Sequence, residues 1–139
     1  MEPDKFLKEG ARILARKLEP LGFRFEITQQ PIQGSGGFFA VGSFARPDRR
    51  IRFWARYENL RVDYCVGDFE FDHHTYMRAL SREKEALFPG IHDDTLFGGF
   101  RRLLDDLDYC DEFLSGDTQA LAERVKALPP EKTGFAALG

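Results

Sequence analysis

An α+β domain is predicted by three features of the chain. An apolar stripe at helical spacing runs through the first twenty residues, period-two alternation fills the stretch from Phe23 to about Phe71, and helical spacing with caps and breakers returns after Asp72. The expected order is an N-terminal helix, an antiparallel meander of about four strands, then three C-terminal helices. Because the helices are segregated rather than interleaved with the strands, the layout is α+β and not α/β.

Glu2 or Asp4 with Pro3 opens the first helix, and Leu7, Ala11, Leu14 and Leu18, widened by Phe6 and Ile13, form its buried stripe. In "LEPLGF", Leu21-Gly22-Phe23 stops it, since glycine accepts the left-handed conformation just past a helix end. Phe23, Phe25 and Ile27 then alternate with Arg24, Glu26 and Thr28 as a half-buried strand. "PIQGSGG" reads as a loop, followed by the strands "GFFAVGSFA", "RRIRFWARY" and "LRVDYCVG", separated by the turns Pro47-Asp48 and Glu58-Asn59.

Two-residue turns fix which side chains oppose each other. A turn at Pro47-Asp48 sets Phe44 opposite Ile51 and Gly42 opposite Phe53, with Phe38 and Ala40 on the same side. A turn at Glu58-Asn59 sets Tyr57 opposite Leu60, Ala55 opposite Val62, Phe53 opposite Tyr64 and Ile51 opposite Val66. One face of the sheet is thereby the core face. Arg50, Arg52, Trp54 and Arg56 point the other way, with Arg61 expected opposite Arg56 and Asp63 opposite Trp54.

Asp72 is the expected N-cap of a helix over residues 73 to 87, with Tyr76, Leu80, Glu83 and Leu87 on one side. Pro89 and Gly90 break the chain. Asp93 or Asp94 caps the next helix, with the stripe Leu96, Phe100, Leu103, Leu104 and Leu107. Gly98-Gly99 marks close packing or mobility in its first turns. A last helix starts at Asp117 and carries Leu121, Val125 and Leu128 up to Pro129-Pro130.

A chain of 139 residues, 42% hydrophobic and with 14 phenylalanines, suits one domain over residues 1 to 130 with a loose tail over 131 to 139. The N-terminal stretch lacks the apolar h-region of a signal peptide, and no run approaches the roughly 18 apolar residues of a membrane span. Cys65 and Cys110 lie far apart, leaving room for one disulfide at most. A cytoplasmic, non-membrane protein is expected. Residues 1 to 67 hold 12 Lys and Arg against 8 Asp and Glu, whereas residues 68 to 139 hold 8 against 15, so net charges of +4 and −7 give the overall −3. That split suits a polarised surface that orients a partner and argues against generic nucleic-acid binding, which needs a basic excess.

Three clusters carry candidate chemistry. His73 and His74 stand behind Asp72, yet consecutive helical side chains diverge by about 100°. Metal-binding helices use i, i+3 or i, i+4 pairs instead. His92 and Asp93 could add ligands from the following loop, so His73, His74, His92 and Asp93 are the metal candidates against a plainer reading as helix-terminal polar residues. A first-turn histidine also suits a neutral hydrogen-bonding role, because the helix dipole disfavours its charged form. Asp105, Asp108 and Glu112 share one face of a continuous helix, with Asp111 beside them. They make an acidic patch for a basic partner or simply a solvated face; no DxDxDG loop is present.

The sharpest cluster is Arg50, Arg52, Trp54, Arg56 and Arg61. Tryptophan and arginine are the side chains most enriched at interface hot spots, and arginine stacks on indole. Basic residues interleaved with an aromatic on a sheet also suit single-stranded nucleic acid. A helix packed over this face, with arginine stems covering Trp54, is the structural alternative. No GxSxG or P-loop pattern occurs, so no cofactor and no nucleophilic catalysis is expected.

The helix ending in "LEPLGF", the charged strand meander and the acidic helices together resemble the small α+β immunity proteins of bacterial toxin systems and related bacterial domains. The likeness spans the first two thirds of the chain and is architectural. It implies a non-catalytic protein-binding role with a protein partner. The competing expectations are a single-stranded nucleic-acid module on the Arg/Trp face and a metal-dependent hydrolase at the His/Asp cluster.

Overall fold

The computed structural model describes residues 1–34, 37–57, 59–90 and 96–130. Helix α1 spans Pro3–Leu18 and buries Phe6, Leu7, Ala11, Leu14 and Leu18, the predicted stripe. A 3-10 turn over Glu19–Leu21 follows, and Gly22 at φ 93° turns the chain into the sheet. Five strands then form one antiparallel meander in sequence order: β1 Arg24–Gly34, β2 Gly37–Arg46, β3 Arg49–Arg56, β4 Asn59–Val66 and β5 Phe69–Asp72. Helices α2 His73–Ala79, α3 Gly98–Asp106, α4 Asp111–Ser115 and α5 Thr118–Lys126 complete the chain, with a 3-10 turn Leu107–Tyr109 between α3 and α4. The α+β class stands, with one strand more than predicted because "FEFD" pairs with β4.

The buried side chains of every helix join Ala40, Phe44, Ile51, Phe53, Val62, Tyr64 and Phe71 in one cluster, so all helices lie on one sheet face. Aromatic rings fill its centre. Tyr64 stands 4.9 Å from Tyr76 and 5.0 Å from Phe113, both edge-on, and Phe6 touches Phe100 at 5.3 Å. Where α1 crosses α3, Gly10 is required: a Cβ there would fall 2.1 Å from the Phe100 ring.

Four expectations are corrected. The segment "PIQGSGG" is not simply a loop, since β1 continues to Gly34 and pairs with β2 as far as Gly37. Pro31 is tolerated because β1 is an edge strand and the register shifts between Gln29 and Ile32. The β2–β3 register is the predicted one, with Phe44 opposite Ile51. The β3–β4 register, however, slips by two: Arg56 pairs with Asn59, Ile51 with Tyr64 and Phe53 with Val62. Tyr57 takes the left-handed turn conformation at φ 54°. The slip keeps the paired side chains of β3 and β4 on their predicted faces but moves Tyr57, expected opposite Leu60, into the exposed turn, and it brings opposite charges together. The expected pairing opposed Arg56 to Arg61, whereas the observed one opposes Arg52 to Asp63 and Trp54 to Arg61.

The helix predicted over 73 to 87 ends at Ala79. Asp72 caps it as expected, accepting from the Thr75 N–H at 2.8 Å. Ser81, at φ 56°, closes it with bonds from its own N–H to the Arg78 carbonyl and from the Arg82 N–H to the Met77 carbonyl. The N–H groups of Leu87 and Phe88 go to the Asp106 side chain, which a continued helix would have prevented. The predicted third helix is likewise divided, into α3, the 3-10 turn and α4. Its expected caps Asp93 and Asp94 fall outside the described residues. Asp117 caps α5 through the N–H groups of Gln119 and Ala120, and the tail over 131 to 139 also falls outside the described residues.

Candidate functional site

Among the described residues no helix covers the outward face of the sheet, and all the described helices pack on the other side. Strand parity places Phe39, Val41 and Ser43 of β2, Arg50, Arg52, Trp54 and Arg56 of β3, Arg61, Asp63 and Cys65 of β4, and Glu70 of β5 on this face. The sheet covers part of it with its own side chains. Val41, Ser43, Asp63 and Cys65 are buried there without joining the core cluster, while Arg50, Arg56 and Arg61 stand exposed and Trp54 is half-buried. Arginine stems do shield the centre, as the structural alternative supposed, but the rim is open.

Trp54 is held between two neighbours. Its ring stacks on Phe39 at 6.1 Å, and the Arg52 guanidinium lies 5.5 Å from its centroid. Arg52 donates to Glu70 at 2.7 Å and lies 3.6 Å from Asp63, which Arg61 approaches at 3.3 Å. The hydrogen bond from Arg52 draws the Glu70 carboxyl below its usual range, and Glu70 in turn holds the guanidinium more firmly charged. Cys65 is pushed up by burial and is no ready nucleophile.

Charge on this face nearly balances. Arg24, Arg50, Arg52, Arg56 and Arg61 are met by Glu26, Asp63, Glu70 and Asp72. Yet Trp54 Nε1, Arg52 Nε and Ser43 Oγ are buried on this one face with no hydrogen-bond partner among the described residues. Beside them, at the end of the β3–β4 hairpin, lies a cleft of about 350 Å³ lined by Phe39, Trp54, Arg56, Asn59, Leu60 and Arg61 among others. Tyr57 stands exposed at the hairpin tip.

The histidine cluster does not assemble as a metal site. His73 is buried with both ring nitrogens engaged: Nε2 lies 2.8 Å from Asp106 Oδ2, and Nδ1 lies 2.7 Å from the Tyr64 hydroxyl. Burial alone would raise Asp106, but the bonds from His73 and from the N–H groups of Leu87 and Phe88 prevail and hold its carboxyl below the usual range. An ionised Asp106 only accepts, so His73 Nε2 carries a proton. The Tyr64 hydroxyl, whose proton burial makes hard to remove, lies against Nδ1 at the other side of the ring. Cys110, pushed up to about 12 by burial, closes the group with a 3.5 Å contact to the Asp106 carbonyl. His74 is exposed on the other side of the helix start; His92 and Asp93 fall outside the described residues. Among the described residues no group of three His, Cys, Asp or Glu side chains converges as a metal site would.

The acidic patch is also redistributed. With α3 ending at Asp106, the residues Asp105, Asp108, Asp111 and Glu112 no longer share a helix face. Lys17 binds Asp108 at 2.9 Å, Arg124 pairs with Glu112, and Asp105 and Asp111 stay exposed.

Sequence reasoning missed Asp106, Tyr64 and Arg49. Asp106 stands among surface acids, but its place three residues after Leu103 and four before Cys110 puts it on the inward stripe. Arg49 shares the parity of Ile51, is buried, and donates to the Phe113 and Gly116 carbonyls at 2.8 and 3.2 Å; Arg46 reaches the Leu114 carbonyl at 2.9 Å. Both arginines satisfy the end of α4 rather than a ligand.

No helix among the described residues is long and apolar enough to cross a membrane. No family model, no curated protein and no solved structure matches the chain.

Proposed function

We propose that this chain is a non-catalytic protein-binding domain, of the bacterial immunity or regulatory kind and working in the cytoplasm, that engages its partner through the open sheet face around Trp54. The observation that carries this reading is the face itself. Among the described residues no helix covers one side of the five-stranded sheet, and the single tryptophan stands there among arginines, beside an open cleft. Elsewhere the polar groups are spent on the fold, as His73, Asp106 and Arg49 are. The two free cysteines, both buried, accord with a reducing compartment.

The stacked Phe39–Trp54 pair favours a second reading, single-stranded nucleic acid. Against it, Arg52 and Arg61 already meet Glu70 and Asp63, and the near-balance of charge leaves little excess to release counterions from phosphates.

Immobilised wild-type protein is expected to retain a discrete protein from native lysate of the source cell, and the Trp54→Ala variant to lose at least about tenfold of it, as removal of a hot-spot tryptophan does. Retention of no protein, or equal retention by the variant, would overturn the reading.

A further inference from the structure

The geometry points to an acidic peptide segment with an aromatic side chain as the ligand of the cleft at the β3–β4 hairpin end. This rests on the protein-binding reading and gives it a recognition chemistry. The cleft, about 350 Å³, falls near the lower end of the range for small-ligand sites and is of a size for one large side chain. Phe39 and Trp54 give it an apolar wall, and an aromatic ring entering there extends the existing Phe39–Trp54 stack.

Two arginines, Arg56 and Arg61, line the cleft, and no carboxylate lines it among the described residues. Arg56 is exposed and has no ion pair among the described residues. Arg61 keeps 70% of its side chain exposed and meets Asp63 through Nε at 3.3 Å. Guanidinium forks bind carboxylates in two parallel hydrogen bonds. Asn59 offers a side-chain amide, donor and acceptor together, the complement of a peptide bond. Ring, carboxylate and amide recognition within one cleft describes an acidic peptide better than a nucleic acid, whose phosphates would meet Glu70 and Asp63 across the same face.

The test uses the full chain, 15N-labelled, and follows the indole N–H signal, which is unambiguous because Trp54 is the only tryptophan. The probe is the blocked peptide acetyl-Glu-Asp-Phe-Asp-Glu-amide. A saturable shift is expected, at least about tenfold weaker for the uncharged peptide acetyl-Gln-Asn-Phe-Asn-Gln-amide and for the ring-free acetyl-Glu-Asp-Ala-Asp-Glu-amide. Arg56→Gln and Arg61→Gln, both on the exposed rim, should each weaken binding at least about threefold, with Arg56→Gln leaving Tm unchanged. Equal shifts with the uncharged peptide, or no effect of either arginine variant, would overturn the proposal. So would a shift with oligothymidylate alone, or one that appears without peptide as protein concentration rises, since these assign the cleft to nucleic acid or to a second copy. If no probe moves the signal while lysate capture still depends on Trp54, the peptide chemistry fails and the binding face survives; if capture is absent too, both fail.

Discussion

Asp106 has a fully buried carboxylate that accepts from His73 Nε2 and from the N–H groups of Leu87 and Phe88, joining α3 to the start of α2 and to the loop after it. An asparagine in its place keeps one acceptor and turns two donors toward other donors. Asp106→Asn is therefore expected to cost about 3 kcal/mol, the scale for breaking a buried hydrogen-bonded charge, and urea unfolding would measure it. A loss below about 1 kcal/mol would show that the loop is held by other contacts. At this scale the sequence was legible only where side-chain parity decides. Parity set Trp54 and its arginines on the outward face, but it could not say that His73 would find its partner 33 residues away. The neighbouring Asp105 and Asp108 disguised Asp106, since residue type alone does not separate a buried acid from an exposed one.

Elements show the same division between local and non-local causes. The caps at Asp72 and Asp117 and the stop at Gly22 follow from short-range chemistry, and each is where the sequence places it. The two-residue slip of β4 depended on cross-strand charges, yet it left the faces intact because side chains repeat every two residues. What could not be read was the shortening of α2, because its cause, the Asp106 acceptor, comes from a distant element. The α1–α3 crossing yields a test of tertiary override. Gly10→Ala raises helix propensity by about 1 kcal/mol, but the new Cβ would lie 2.1 Å from Phe100. Overpacking of this kind costs about 1–3 kcal/mol, so a net lower Tm is expected in a thermal melt. A higher Tm would mean that α1 and α3 part without loss.

Across the whole molecule, the +4/−7 division is partly consumed by the fold. Basic residues of the first half meet the second half through Lys17–Asp108, Arg52–Glu70, and the hold of Arg46 and Arg49 on the end of α4. Part of the charge that suggested a polarised surface is thus spent inside the fold, between α1 and the 3-10 turn, between strands, and between the sheet and α4, leaving Arg50, Arg56 and Arg61 exposed on the outward face. This wiring predicts how stability depends on pH. Asp48, Glu70, Asp72 and Asp106 are all held below their ordinary carboxyl range in the folded state. The unfolded chain, with carboxyls titrating near 4, takes up protons first as pH falls. The stability these groups supply is consequently whole above that range and is lost as pH drops through their lower folded values. Asp48 and Glu70 are screened by solvent, so Asp106 should dominate. Urea midpoints should stay level from pH 7 to about 5 and fall below about 4, with a shallower fall in Asp106→Asn. A steep decline already complete by pH 5, or one unchanged by that substitution, would place the controlling proton on another group.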